Sequence, residues 1–354
     1  MTDVVQRISE AIRAAAGQRR PLCIRGGGTK DFYGGSPRGE TLDTTEYRGI
    51  VSYEPTELVI TARTGTPLAE IEAALREKGQ MLAFEPPHFG DAATLGGCVA
   101  AGLSGPRRAY AGAVRDFVLG VRLLDGRGDD LRFGGQVMKN VAGYDVSRLM
   151  AGSLGTLGVL LEISLKVLPA PPMETTVHLA CAQADAIALM NEWAAKPWPV
   201  SATAFRRDGL RVRISGARSA VEAAIGRIGG VVVGPEEAAR FWTGIREHTD
   251  DHFRPDAPLW RLSVKSTTPP MALPGTQLIE WGGALRWLKS DAPCASIREA
   301  ARSAGGHATL FRAADKSAGA FHPLPDQLMK LHLRLKRSFD PAGILNPGRM
   351  YGDM

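Results

Sequence analysis

Arg25-Gly26-Gly27-Gly28-Thr29-Lys30 stands directly after the apolar run Pro21-Leu22-Cys23-Ile24. A short strand followed by three glycines makes a turn that side chains would block, because glycine takes positive φ freely. Successive N–H groups in such a turn point into one space and form an anion nest, suited to a diphosphate. Arg25 adds a fixed positive charge at the rim. On this segment alone, a flexible surface loop is an equal alternative.

Three more small-residue clusters follow. Thr94-Leu95-Gly96-Gly97-Cys98-Val99-Ala100-Ala101-Gly102 comes after Pro86-Pro87, and Ser104-Gly105-Pro106 leads to Arg115-Asp116. Gly152-Ser153-Leu154-Gly155-Thr156-Leu157-Gly158-Val159 opens an apolar strand. Each alone reads as tight packing. Four clusters within about 135 residues read instead as backbone approaching one extended ligand. No G-x-G-x-x-G follows a strand and no G-x-x-x-x-G-K-[ST] occurs, which argues against a Rossmann domain and a P-loop NTPase.

Periodicity predicts a helix over 3–16, a strand over 22–24, and a strand over 57–62. A helix over 67–78 is marked by Thr66 as cap, Pro67 at its first position, and Leu68, Ile71 and Leu75 on one face. Residues 117–124 read as a strand with a turn at Asp125-Gly126, and 157–167 as another. Pro169-Ala170-Pro171-Pro172 is the clearest linker. Beyond it, helices at 183–195 and 218–228 alternate with short strands at 210–214, 231–233 and 259–264, a smaller α+β unit. Leu328, Leu331 and Leu335 mark a helix that stops before Asp340-Pro341. The expected division is 1–170, then 171–325, then a returning tail at 326–354.

The 354 residues carry a net charge of +6 and are 44% hydrophobic. The basic residues are dispersed pairs rather than a run, which argues against a nucleic-acid surface. No apolar stretch approaches the ~20 residues of a membrane helix, and Met1-Thr2-Asp3-Val4 begins no secretory signal. The expected location is the cytoplasm or the cytoplasmic face of a membrane. Cys23, Cys98, Cys181 and Cys294 form no C-x-x-C pair, so the chain is not expected to build an iron–sulfur cluster or other metal site by itself.

The order R-G-G-G-T, T-x-G-G with a following A-x-G, V-R-D-F-V-L-G-x-x-L-L-D-G, and G-Y-D-x-x-R-L-M-x-G-S-x-G-T-L-G-V resembles the FAD-binding domain of the vanillyl-alcohol oxidase/p-cresol methylhydroxylase superfamily. The match spans about residues 20–168. The tail Asp340-Pro341-Ala342-Gly343-Ile344-Leu345-Asn346-Pro347-Gly348-Arg349 resembles that of its 2-hydroxyacid-oxidising branch. The run Lys139–Asp145 and Gly306-His307-Ala308-Thr309-Leu310-Phe311 are most similar to the FAD-binding subunits of glycolate oxidases.

This resemblance implies an α+β fold: two α/β subdomains holding FAD between them, with a small α+β cap. It implies that Arg25, Gly26, Gly27, Gly28 and Thr29 wrap the diphosphate, and that Thr94, Gly96 and Gly97 lie along the diphosphate and ribityl chain. Gly102, Ser104 and Gly105 would approach the flavin side. Gly152, Ser153, Gly155, Gly158 and Val159 would make backbone contacts, and Asn346 would reach the flavin. The flavin would be non-covalent, because Thr29 and Lys30 stand where some relatives place a linking histidine. The implied partners are a second flavin subunit and an iron–sulfur subunit, with a small 2-hydroxyacid as substrate.

Two departures separate this chain from relatives that oxidise hydroxyacids themselves. It lacks H-x-G-D-G-x-x-H and E-H-G-x-G, and Leu154 replaces a frequent glutamate. Catalytic candidates are therefore few. His307 is a flavin-facing base or a hydrogen-bonded structural histidine, and His88 is a weaker candidate of the same kind. Arg286 is a carboxylate clamp or a surface arginine packed on an aromatic. Three activities stay open: a glycolate oxidase subunit, a self-contained 2-hydroxyacid dehydrogenase such as one for D-lactate, or an assembly subunit whose FAD does not turn over.

Overall fold

A computed structural model describes residues 2–135 and 145–354. The run 139–144 singled out above lies outside these residues. The chain opens with helix Thr2–Gln18, whose Ile8, Ile12 and Ala15 are buried on one side. Strand Leu22–Arg25 follows and pairs in parallel with Glu40–Asp43. Helix Leu68–Glu77 buries Leu68, Ile71 and Leu75, the apolar face expected. Its capping differs from expectation. Pro67 takes the cap position with no side-chain cap, and the Thr66 hydroxyl instead accepts a bond from the Gly49 N–H at 2.8 Å.

Among the described residues an antiparallel sheet runs in the order Ile50–Glu54, Val59–Arg63, Val159–Lys166, Val118–Leu124, Asp130–Gly134. The Asp125 turn joins the last two in space, its carboxylate accepting from the N–H groups of Arg127 and Asp129. The core beneath this sheet includes Ile60, Ile71, Phe84, Leu123 and Ile163. Burial of such side chains at about 25 cal/mol per Å² is the main source of stability here.

Residues after Pro172 build a larger sheet than the sequence suggested. Its antiparallel order is Val231–Val233, Met173–Leu179, Gly209–Gly216, Val200–Arg206, Thr276–Glu280, Leu285–Lys289, Leu259–Ser263, His307–Arg312. One face packs helices Gln183–Ala194 and Arg218–Ile228 through Met190, Trp193, Val212 and Val221. The other face packs Ala204, Leu278 and Phe311 against Tyr33, Leu103 and Leu154 of the first unit.

Polar contacts pin the two units together. Glu85 receives Arg213 at 2.8 Å and Arg107 at 3.4 Å, and Arg107 also reaches Glu174 at 2.6 Å. The Glu247 carboxylate accepts from the His88 and Phe89 N–H groups, and the Trp281 indole donates to Gly105 O. Helix Asp326–Phe339 then carries the chain back to the first unit. Its buried Lys336 ammonium donates to Asp340, Thr156 O and Leu345 O.

Candidate cofactor cleft

Where strand Leu22–Arg25 ends, the chain turns through Gly26, Gly27 and Gly28 at the mouth of a cleft of about 820 Å³. Three glycine segments wall it: 26–28, Gly96 with Gly97, and Gly155 with Gly158. Thr94 and Asn346 line it too. The tight packing of these segments is enforced by neighbours. A Cβ on Gly27 would overlap the Ala92 carbonyl oxygen, and one on Gly155 would come within 2.7 Å of the Asn346 amide nitrogen. Gly97 differs, because a Cβ there would meet only Thr94 Oγ1, at 3.4 Å, so the remaining room belongs to the cleft.

Local bonding explains how these loops hold their shape. Thr94 caps helix Leu95–Ala101, accepting from the Gly97 N–H at 3.3 Å. The Thr29 hydroxyl donates to His88 O at 2.7 Å. Asn346 uses both ends of its amide. Its Oδ1 accepts from the Ile24 N–H at 2.7 Å, and its Nδ2 donates to Leu154 O at 2.6 Å. Its role in the structure is a clasp across the cleft floor, joining tail, strand and turn. Arg349 donates to the carbonyls of Asp31 and Gly35 and so fixes the loop beyond the glycine turn.

Arg25, Lys30 and Arg349 line the cleft against one acid, Asp31, which Arg25 holds at 2.8 Å. Burial pushes the Lys30 ammonium below its ordinary pKa, and pushes the Cys23 thiol above its own. The result is a long, backbone-walled, cationic groove. It fits an elongated cofactor bearing a diphosphate, which donates nothing and accepts many N–H bonds.

Other sequence candidates stand elsewhere. Gly102 ends helix Leu95–Ala101 at φ 68° and packs on the Gly152 backbone. Ser104 accepts from the Val114 N–H. Gly105 bonds Phe84 O and Trp281 at the junction of the two units. Gly152 and Ser153 line a different groove, and Val159 is a fully buried core residue. His307 begins the outermost strand of the large sheet and is exposed, away from the cleft lining. The His88 ring lies 3.3 Å from Glu72. Arg286 corrects the expectation of a surface residue. It is fully buried, it donates to the carbonyls of Thr268 and Pro269, and burial pushes its pKa down to about 10.

Sequence reasoning missed Thr44, Thr64, Leu160 and Arg349 among the lining residues. Only Arg349 had a signal, its place after Pro347-Gly348 in the tail. A second, small aromatic-walled cavity shares no lining residue with the cleft: the predicted Ser104 and Gly105 line it together with Glu280, His248, Arg261 and Trp287, which sequence reasoning missed. There the Trp287 indole donates to Glu280 at 2.7 Å, and complete burial raises the Glu280 carboxyl to about 8. His248 stacks on Phe253 at 3.9 Å, and burial holds its pKa well below the ordinary value.

Comparison with known proteins agrees with this geometry. Residues 3–134 match the FAD binding domain family. The chain is 50% identical to glycolate oxidase subunit GlcE of Escherichia coli (strain K12) over 352 residues, 99% of each chain. It is 31% identical to glycolate oxidase subunit GlcD of Bacillus subtilis (strain 168) over 189 residues, 53% of this chain and 39% of that one. Alkyldihydroxyacetonephosphate synthase superposes at a TM-score of 0.68, covering 97% of this chain and 75% of that one at 14% identity, which speaks to fold alone. No helix among the described residues is long and apolar enough to cross a membrane. With half its residues shared over nearly the whole length, and an FAD binding domain whose glycine turns wall one cleft, this chain belongs to the family of glycolate oxidase subunit GlcE.

Proposed function

We propose that this chain is the FAD-binding subunit of a glycolate oxidase complex. That complex oxidises glycolate to glyoxylate, and the two electrons leave through an iron–sulfur partner subunit. A second flavin subunit completes the assembly, which works in the cytoplasm or at the inner membrane face through its partners. The observation that carries this reading is the glycine-walled cationic cleft in a chain matched end to end by a glycolate oxidase subunit.

FAD, when bound, supplies a two-electron acceptor that can release electrons singly. The residues of this chain do the holding. Arg25, Lys30 and Arg349 supply positive charge for the diphosphate, the backbone at 26–28 supplies N–H donors, and Gly96 and Gly97, whose own N–H groups bond Thr64 O and Thr94 Oγ1, supply close approach. Attachment is non-covalent. Among the described residues no histidine lines the cleft, and the buried Cys23 thiol is raised in pKa and so kept from its nucleophilic thiolate form. None of His307, His88 and Arg286 lines the cleft either. This supports a flavin that serves the complex rather than a hydroxyacid oxidised by this chain alone.

The test is an absorbance spectrum of the purified chain, followed by anaerobic mixing with glycolate. A band near ~450 nm that acid releases into solution is expected, in keeping with cofactor-borne chemistry. Glycolate should bleach the assembled complex and leave the isolated chain unbleached. A colourless chain that FAD does not reconstitute would overturn the reading. Bleaching of the isolated chain would instead make it a self-contained dehydrogenase.

A further inference from the structure

The small cavity at the junction of the two units is separate from the cofactor cleft and shares no lining residue with it. Three neighbouring strands of the large sheet furnish its polar groups. Glu280 ends Thr276–Glu280, Trp287 stands in Leu285–Lys289, and Arg261 stands opposite Trp287 in Leu259–Ser263. Cross-strand partners share a sheet face, and all three residues line the cavity. The first unit closes it with Phe89 and Ser104. Its volume is about 310 Å³ against about 820 Å³ for the cleft, which suits a ligand of a few heavy atoms.

Two groups there lack a polar partner. The His248 Nδ1 atom is buried and makes no hydrogen bond. An unbonded polar atom out of water carries a cost that a ligand removes. The ring is not free to turn away. His248 follows helix Pro235–Glu247 in the left-handed region, at φ 55°, stacked on Phe253 at 3.9 Å and edge-on to Trp287 at 4.5 Å. A non-glycine residue keeps such a backbone only where its surroundings over-determine it. Arg261 is the second group. Its guanidinium packs over the Trp281 ring at 5.1 Å and has no hydrogen bond or ion pair among the described residues. The other cation of the lining, Arg246, is held by Glu247 at 2.7 Å. The one acid of the lining, Glu280, is raised to about 8 by complete burial, so its carboxyl is protonated at neutral pH. The cavity thus holds an uncompensated positive charge, a carboxyl proton to donate and an unbonded ring nitrogen.

We propose that this cavity binds a small carboxylate that carries a second oxygen on the adjacent carbon. The planar guanidinium of Arg261 meets the carboxylate, the Glu280 O–H donates to it, and the second oxygen bonds His248 Nδ1. Inorganic phosphate, tetrahedral and more highly charged, matches one free guanidinium between aromatic walls less well. Entry is past Arg246, which lines both this cavity and an open groove beside Glu174 and Trp242. The site is one of binding, with no redox step, and it stands whether or not the chain works in the complex proposed above.

The experiment is titration of the purified full chain, with FAD added, by glycolate, acetate and inorganic phosphate. Calorimetry reads it, and so does tryptophan fluorescence, since Trp287 lines the site. Glycolate should bind at one site per chain. Acetate lacks the second oxygen and should bind about tenfold more weakly, because His248 Nδ1 stays unbonded. Arg261→Gln should weaken glycolate by about tenfold or more while keeping the ~450 nm band. His248→Asn tolerates the left-handed backbone and should cut the advantage of glycolate over acetate to about threefold or less. Arg312→Gln removes a half-buried cation outside the lining and should leave glycolate affinity within about threefold. No glycolate binding overturns the proposal, and so does equal binding of acetate or of inorganic phosphate, a test that needs no variant to fold. Wild-type affinity in Arg261→Gln, an undiminished advantage in His248→Asn, or an equal loss in Arg312→Gln overturns it too. Bleaching of the flavin by glycolate that Arg261→Gln prevents would support the site and make the chain a self-contained dehydrogenase.

Discussion

One Cβ atom separates glycines that shape the cleft from glycines that make room in it. At Gly27 the Ala92 carbonyl occupies the place of a side chain, so Gly27→Ala displaces the turn and lowers both stability and FAD retention. At Gly97 the fold leaves room. Gly97→Ala should change stability by less than about 1 kcal/mol, in line with a glycine-to-alanine change in a helix, yet weaken FAD binding. Thermal unfolding with and without added FAD separates the two. Glu280 makes a different residue-scale prediction. Its carboxyl is raised to about 8 from an ordinary 4.5, so between those values the folded chain holds a proton that the unfolded chain has released. Stability from this group is therefore full below pH ~4.5 and falls as pH rises toward 8. Glu280→Gln keeps an acceptor for the Trp287 indole and should flatten this fall, which has a limiting slope of about 1.4 kcal/mol per pH unit. Melting curves from pH 5 to 8 test it. Parallel curves for the two proteins would refute the assignment.

At the scale of elements, the tail closes one side of the cleft through Asn346 and Arg349, and the returning helix anchors the tail. The tail backbone joins strand Leu22–Arg25 through the Leu22–Leu345 bridge, and the Asn346 N–H donates to Leu22 O. Lys336 anchors the tail to helix Asp326–Phe339, and it is buried with all its bonds made internally. Lys336→Met leaves the Asp340 carboxylate buried without its cation, a change that costs about 3–5 kcal/mol. Because Asn346 and Arg349 ride on the same tail, FAD should be lost along with that stability. Urea unfolding followed by flavin absorbance checks both, and unaltered FAD retention would separate the tail from cofactor binding. The helix itself was legible from Leu328, Leu331 and Leu335. Its anchor was not, since a lysine ten residues before Asn346 carries no sign of burial in its own neighbourhood. Strands Thr276–Glu280 and Leu285–Lys289 were missed for a related reason. Successive residues are buried at 278–280 and 285–288, so no alternation marks them.

At the scale of the whole molecule, the two units are held by charges from distant parts of the chain. Burial pushes the Glu85 pKa up, but Arg213 and Arg107 outweigh it and hold the carboxyl below its usual range. Its contribution is thus present above the ordinary glutamate pKa and is lost as pH falls through the lower folded value. Glu85→Gln should cost about 3 kcal/mol at pH 7, as breaking a buried pair does, and should blunt the loss of stability in acid. Unfolding measured from pH 7 down to 3 reads both effects, and an unchanged acid limb would remove Glu85 from that role.

By itself the sequence determined the local chemistry. The glycine turn after a strand, the small-residue clusters in their order and the amphipathic helices all depend on neighbours in the chain, and motif order was enough to indicate an FAD fold, whereas the linker expected at 169–172 begins in strand Leu168–Pro169, paired with Gln80–Met81. Only the tertiary structure decided which small residues share a cleft. Gly152 and Gly155 are three positions apart, yet one lines a separate groove and the other the candidate cleft, because the chain turns between them through Leu154 at φ 53°. Asn346 and Ile24 are 322 positions apart and bonded. Whether a polar atom is free for a ligand or already used in a clasp depends on such distant partners, and spacing along the chain does not encode them.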